Sequence, residues 1–399
     1  MSRNDDGSGS PGLGVLFSVI VVDLIGFGIV VPILPFWAER FGANGSLLGL
    51  LVACHAGMQF LFAPVWGRLS DHIGRRPVML ITIAGTALAL LFLGLADSLP
   101  QIFLARLLSG IFGSNISVAT AYLTDVTEEA DRTRWMGMIG ASFAVGFTLG
   151  PPIGGVLSRL GHGTPMLVAA AMAGLNLVWA AARLREPARH SGGTDEARMS
   201  RRDVLRDPAI ARLCFIYFLF SVAVTQLETI FAFFMSHRFG YDELGVGLVM
   251  LGMAILMGAI QGGGMKRLAA HYRERRLVLV GLGLMALAFA TLPLAGTVAL
   301  LFLPLAIASV GRGISQPPMM SLVSLSANES SRGIVLGVFQ SSASAARVVG
   351  PVLAGALYDL ESGLPFWAAA LLVATAGLIA LRVQDAATAA PSAEEGAAS

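Results

Sequence analysis

Twelve stretches of this chain are each long and apolar enough to cross a hydrocarbon layer of about 30 Å, which takes about 20 helical residues. They fall at 13–38, 47–66, 78–96, 100–122, 135–157, 163–183, 209–235, 244–265, 277–295, 298–320, 333–357 and 363–383. Within a bilayer every peptide N–H and C=O must be bonded inside the protein, so runs of this length fold as helices. Only 13% of the 399 residues are charged, against about 25% in soluble domains. The missing charge is accounted for if most of the chain meets lipid. The expected fold class is therefore an all-α integral membrane protein of twelve transmembrane helices. Cys54 and Cys214 lie inside apolar runs and read as small buried hydrophobes, not as a disulfide or metal pair. The first run is too long for a signal-peptide core and lacks a small-residue cleavage site, so it is expected to remain as a membrane anchor.

Most connections are a handful of residues. The exception, 184–208, carries Arg185, Arg189, Arg198, Arg201, Arg202 and Arg206. It divides the chain into a six-helix bundle at 13–183 and another at 209–383, with tails at 1–12 and 384–399 whose composition predicts disorder. With the N-terminus inside, the cytoplasmic tails, loops and helix edges hold 21 of the 27 Lys and Arg. The external loops hold three, Arg40, Arg159 and Arg238, and the helices hold Arg106, Arg312 and Arg347. That asymmetry sets the orientation, and an even number of helices returns the C-terminus to the cytoplasm. The halves also repeat. GFTLGPPIGGVL (146–157) matches ARVVGPVLAGAL (346–357), and GRR (74–76) matches ERR (274–276), both at a spacing of 200. Repeated six-helix halves are how many transporters build a central site.

GRLSDHIGRR (67–76) concentrates charge between two apolar runs. Arg68, Arg75 and Arg76 hold the loop on the cytoplasmic side. Acids contribute little to orientation, so Asp71 needs a separate reason. Gly67 and Gly74 permit a tight turn, and Asp71 can then pair with Arg75 and face the positive N-terminus of a neighbouring helix. It reads either as a gating latch that closes the cytoplasmic face in one state or as a solvated loop acid.

GRLSDHIGRRPVML resembles the loop signature G-x-L-x-D-x-x-G-R-R/K between helices 2 and 3 of the major facilitator superfamily. DLIGFGIVVPILP (23–35), RLLSG (106–110) and GFTLGPPIGG (146–155) resemble the helix 1, 4 and 5 motifs of its twelve-helix drug/proton antiporters. GISQPPMMSLVS (313–324) is most similar to the tetracycline/proton antiporters. The resemblance implies two pseudo-symmetric six-helix bundles and proton-coupled transport, with Arg106 implicated in proton transfer. Since arginine does not deprotonate, that means tuning a nearby acid. The loop KRLAAHYRERR keeps the basic residues and lacks the aspartate. Helices 3 and 9 lack the acids that tetracycline antiporters carry there.

Charges within the membrane cost about 2.5–3.5 kcal/mol each at a helix centre and so mark functional candidates. Asp23 lies about 15 Å along helix 1, at 1.5 Å per residue. It reads as a proton-coupling acid or as a hydrogen-bonded structural one. Glu228 shares a helix 7 stripe with Ser221 and Thr225. Its surroundings suit a carboxyl whose protonation alternates with binding of a cationic substrate, or one paired permanently with an internal arginine. Gly110, Gly113 and Ser117 follow Arg106 on its face, and Asn115 points away. Arg347 shares a helix 11 face with Gln340 and Ser344 and either neutralises Glu228 or contacts substrate. His55 and Gln59 lie four apart on helix 2, where both can line the cavity; His55 reads either as a group titrating at about pH 6.5 there or as a satisfied structural residue. Gly146, Gly150, Pro151, Gly154 and Gly155 give helix 5 a bare face and a kink, for tight packing that can change between states.

No phosphate-binding loop, zinc motif, paired cysteine ligands or nucleophile elbow is present, and the single lysine, Lys266, is not in a nucleotide-binding context. No cofactor, metal or nucleic-acid partner is expected; the partners are a small molecule, protons and the lipid bilayer, and the chain is expected to act as a monomer. The expected function is proton-coupled export of small amphipathic compounds such as antibiotics, by alternating access. A proton-linked importer of a metabolite on the same fold is the alternative, separable by counterflow in vesicles. A non-transporting receptor or membrane enzyme is a third class, for which no catalytic constellation is seen. By analogy with bacterial transporters of similar compactness, the expected location is a bacterial inner membrane.

Overall fold

The apolar runs form helices throughout the computed structural model, which describes residues 11–127, 129–187, 201–328 and 331–383. Among the described residues, eleven helices are long and apolar enough to cross a membrane. In chain order these are α1 (Pro11–Glu39), α2 (Gly45–Ile73), α3 (Arg75–Gly94), α4 (Leu99–Val126), α5 (Glu129–Ser158), α6 (Thr164–Arg183), α7 (Pro208–Phe239), α8 (Glu243–His271), α9 (Glu274–Leu294), α10 (Val298–Leu325) and α11 (Arg332–Leu360). A shorter apolar helix, α12 (Leu364–Ala380), is the twelfth. Its 17 residues lie at the short end of the spanning range. A short helix, Arg201–Arg206, precedes α7. Residues 1–10 and 384–399 of the predicted tails and most of the 184–208 connection lie outside the described residues; Pro11 and Gly12, assigned to the N-terminal tail, instead begin α1. The chain is a multi-pass helical membrane protein. Large apolar side chains such as Leu88, Leu175, Leu287 and Leu371 point outward from their helices, as a lipid-facing surface requires.

Three local features depart from uninterrupted helices. α2 continues seven residues past the predicted end of its apolar run, so 67–73 is its last two turns and the chain reverses only at Gly74. Gly74 has φ 108°, a conformation that side chains with a Cβ resist. Helix 4, expected to be continuous over 100–122, is two segments, Leu99–Phe112 and Asn115–Val126. Facial phasing from Arg106 therefore stops near Gly110 and does not carry to Gly113 and Ser117. The carbonyls exposed at the break are met by α2: Trp66 Nε1 donates to Ile111 O at 2.6 Å and Gln59 Nε2 to Gly113 O at 2.5 Å. Side-chain donors of this kind allow a broken helix at membrane depth. The third departure is a π-turn in α8 at Ile260–Gly264, where three glycines follow Gln261.

Packing divides the chain into two compact units. One comprises residues up to Thr194 together with Thr229–Ala254; the other comprises Asp195–Glu228 and Ile255 onward. In the first, α1 packs on α5 and α6, while α3 packs on α4 and α6. Asn176 Nδ2 of α6 donates to Val19 O of α1 at 3.0 Å, and Trp179 Nε1 to Ser18 Oγ at 3.0 Å. The C-terminal end of α7 and the start of α8 join this unit through His237 with Glu39 (2.6 Å) and His162 with Glu243 (3.1 Å). In the second unit, α9 packs on α10 and α12. A Cβ at Gly281 would lie 2.7 Å from the Gly311 carbonyl oxygen, so α9 and α10 approach backbone to backbone. The repeat at a spacing of 200 reaches this level too. Gly163 and Gly363 are the N-cap residues of α6 and α12; the matching carbonyls of Ala181 and Leu381 each accept from an arginine at the preceding turn, Arg76 in the first half and, one position short of the repeat, Arg275 in the second.

Candidate functional site

In the first unit, α1, α2, α3 and α4 place polar groups in an otherwise apolar interior. Asp23 of α1 has the Asn115 side chain, just past the α4 break, as its polar neighbour. Asn115 Oδ1 in turn accepts from the Thr82 hydroxyl of α3. Arg106 is buried, 5% exposed, and its Nε has no bonded acceptor among the described residues. No ion pair to it is present among those residues; Cys54 is its electrostatic neighbour. The next turn of α4 brings Ser109, which donates to the Arg106 carbonyl at 3.0 Å and meets His55 Nδ1 at 2.9 Å. Because the serine proton is committed to that carbonyl, Nδ1 of His55 is the donor in this pair. His55 also stacks with Phe27, ring centroids 5.9 Å apart, and Phe27 meets Phe147 edge-on at the same distance. Asp23, Asn115 and Arg106 thus share one interior with His55, and Gln59 reaches it from α2 to bond the break.

The turn between α2 and α3 is a second cluster. Arg75 lies 2.5 Å from Asp71 Oδ1 and 2.7 Å from Asp125 Oδ2, and it donates to Ser70 Oγ at 2.6 Å. Asp71 itself is largely exposed. The α3 N-terminus is served by a different carboxylate. Glu186, beyond the end of α6, accepts from the N–H of Arg75 at 2.6 Å and of Arg76 at 2.9 Å. Its charge sits where the helix dipole and the unbonded first-turn amides favour an anion. A Cβ at Gly74 would lie 2.7 Å from Glu186 Oε1. Arg76 extends to Ala181 O at 2.7 Å, and Tyr122 donates to Arg185 O at 2.6 Å. Gly67 has open space around it.

α5 meets α1 through its glycines. A Cβ at Gly150 would lie 2.5 Å from the Gly28 Cα, one at Gly146 would lie 2.7 Å from the Leu24 carbonyl, and one at Gly154 would lie 2.6 Å from the Ile29 carbonyl oxygen. Gly155 faces α8 instead, with a Cβ placed 2.6 Å from the Leu244 Cα. Pro151 is followed by Pro152 inside α5. The Pro151 carbonyl is approached by Gly247.

In the second unit, Glu228 Oε1 of α7 pairs with Arg312 Nη1 of α10 at 2.8 Å. Each side chain is about one-third exposed, 33% and 32%. Thr225, three residues earlier, turns to α11: its hydroxyl bonds Ser221 O at 2.9 Å, lies 3.4 Å from Ala346 O, and sits where a Gly350 Cβ would go. Arg347 is exposed near the middle of α11, and no carboxylate pairs with it among the described residues. Its stripe holds Ser344, which donates to Gln340 O at 3.2 Å, and the exposed Gln340. Tyr217 of α7 stacks on Phe339 of α11, centroids 4.0 Å apart, and has Gln316, Arg312 and Arg347 as its polar neighbours. Gln226 is 1% exposed, and neither polar atom of its side chain is bonded among the described residues. Sequence reasoning gave no role to Arg312, Glu186 or Gln226. Arg312 stood out as one of three intramembrane arginines, but its partner is 84 positions away.

The family model described as Major Facilitator Superfamily matches residues 16–343 and 265–399. The chain belongs to the major facilitator superfamily. Among curated relatives, the class B tetracycline resistance protein of Escherichia coli is 30% identical over 357 residues, covering 88% of each chain. Multidrug resistance protein 1 of Bacillus subtilis (strain 168) is 28% identical over 369 residues, 91% of this chain and 93% of the relative. Of solved structures, the human organic anion transporter MFSD10 (TETRAN) is 25% identical with a TM-score of 0.70, over 93% of this chain and 99% of that one. A bacterial homologue of the human lysosomal transporter Spinster shares the fold at a TM-score of 0.79 and 15% identity, over 94% of this chain and 97% of that one. This major facilitator chain thus carries an all-helical membrane fold with ionisable groups inside its apolar helices, among them Asp23, Arg106, Glu228 and Arg312.

Proposed function

We propose that this major facilitator protein exports small amphipathic compounds of the drug or antibiotic class in exchange for protons, by alternating access. The single observation that carries the coupling is Glu228, a membrane-embedded carboxylate held 2.8 Å from Arg312 while still one-third exposed. Protonating Glu228 removes one half of the pair and frees the guanidinium. Deprotonating it restores attraction to a cation, either Arg312 or a cationic substrate. Gain and loss of this pair then favour two different arrangements of the same helices. Asp23, beside Asn115 and in the interior that also holds Arg106, is the second acid that alternates in this way. Gln59, Asn115, Thr225, Gln340 and Arg347 are the proposed groups nearest the substrate path. The turn at 67–76 with the glycines of α5 is the proposed gating machinery. The relatives' names as tetracycline and multidrug resistance proteins support export of drugs over import of a metabolite.

The asymmetry of the basic residues supports cytoplasmic termini, and the bacterial relatives support an inner-membrane location. The chain works as a monomer in this reading. The reading is tested by a drug-susceptibility panel in an efflux-deficient bacterial host, with and without a protonophore. Resistance to at least one compound class that the protonophore abolishes is the expected result. No change in susceptibility to any compound, with the protein present in the membrane, overturns it.

A further inference from the structure

The α2–α3 and α8–α9 turns repeat one another at a spacing of 200, yet their cations are answered differently. In the first, Asp71 and Asp125 pair with Arg75. At that spacing the second turn has His271 in place of Asp71 and Leu325 in place of Asp125. Arg275 donates to Leu381 O, and its Nε is buried with no bonded acceptor among the described residues, as is that of Arg76 in the first turn. Lys266, Arg267, His271, Arg273, Arg275 and Arg276 fall within eleven residues, with Glu274 the one acid among them. Five of the six residues lining a pocket of about 390 Å³ here are His271, Tyr272, Arg273, Arg275 and Arg276; the sixth is Leu279. Tyr272 is 43% exposed, and the Arg276 guanidinium lies 4.9 Å over its ring. The pocket is cationic on the side of the turn and apolar at Leu279, where α9 enters its apolar run.

We propose that this pocket binds the phosphate of an anionic phospholipid, of the phosphatidylglycerol type, in the cytoplasmic leaflet. The leaflet follows from the orientation proposed above; the binding itself does not depend on drug export. Guanidinium forks and the first-turn amides of a helix match phosphate oxygens. An aromatic ring at the membrane edge and a basic concavity on the cytoplasmic side suit a headgroup whose acyl chains continue along the helix. Setting topology requires only a number of positive charges near the membrane, not a concave arrangement. A free phosphate fits the cationic side and leaves the apolar side uncovered.

The test uses the purified full-length protein in detergent, with native mass spectrometry and thermal unfolding after addition of phosphatidylglycerol, phosphatidylcholine or inorganic phosphate. Phosphatidylglycerol is expected to give retained adducts and a raised Tm; the other two are expected to give neither. Arg273→Gln/Arg276→Gln, which leaves the Arg275 helix-end bond in place, is expected to lower phosphatidylglycerol affinity about thirtyfold, the ratio to which two basic residues at about 1 kcal/mol each convert. Arg68→Gln, a basic change at the other turn, is expected to leave it unaltered. Equal adduct retention in the double variant, or a Tm rise from inorganic phosphate alone, overturns the proposal. If the double variant yields no folded protein, Arg276→Lys carries the test. Lysine keeps the charge and loses the fork, so weaker lipid retention is expected and unchanged retention overturns the assignment. None of these outcomes bears on export, which the susceptibility panel reads separately.

Discussion

At the scale of single residues, the Glu228–Arg312 pair sets the sharpest expectations. Removing one partner leaves an unpaired charge at membrane depth, whereas removing both leaves two neutral groups. Arg312→Gln is therefore expected to destabilise by about 1–3 kcal/mol, discounted from the cost of a fully enclosed pair because both side chains are one-third exposed. Glu228→Gln/Arg312→Gln is expected to recover part of that loss. Thermal unfolding of the purified variants measures it, and additive losses in the double variant contradict a direct pair. Glu186 is a second case. It bonds two first-turn amides of α3, so Glu186→Gln is expected to cost about 1 kcal/mol, as for loss of a charged cap. Asp71→Asn, at a mostly exposed acid whose Arg75 partner keeps Asp125, is expected to cost less. Reversal of that order in unfolding measurements contradicts the assignment of the cap to Glu186. The sequence made Asp71 legible because it stood out in a basic loop. It left Glu186 unread because a cap supplied from 111 residues away has no local pattern.

At the scale of helices, spacing and small residues were the legible part. The glycines of α5 announced a bare face, and that face meets α1 at backbone distance around Gly28 and Gly150. Backbone atoms cannot yield as a flexible side chain can. Gly150→Val is thus expected to prevent recovery of folded protein, and Gly140→Ala, where nothing lies within 4 Å, to be tolerated. Size-exclusion profiles after extraction distinguish the two; a monodisperse Gly150→Val protein contradicts the packing. What an apolar run cannot report is whether the helix inside it is continuous. The 100–122 run breaks after Phe112 because Trp66 and Gln59 of α2 take up the freed carbonyls. That compensation is tertiary, and no periodicity within the run reveals it. The extension of α2 to Ile73 was hidden for a related reason: polar residues end the hydrophobic signal before they end the helix.

At the scale of the whole molecule, the run count, the charge asymmetry and the half-repeat carried the architecture. A membrane allows few alternatives once a chain has this many apolar runs. The functional groups were visible as isolated charges, but their pairings were not. Glu228 finds Arg312 and Asp23 finds Asn115 through contacts between distant helices, and Arg347 has no carboxylate partner among the described residues. The central claim is that protonation of these acids drives export. It is tested most directly by reconstituting the protein in liposomes with a pH-sensitive dye inside and following proton movement when an exported compound is added. The wild-type protein is expected to dissipate an imposed pH gradient on addition of the compound, and Glu228→Gln to bind the compound without moving protons. Undiminished compound-dependent proton movement in both Glu228→Gln and Asp23→Asn would contradict the account.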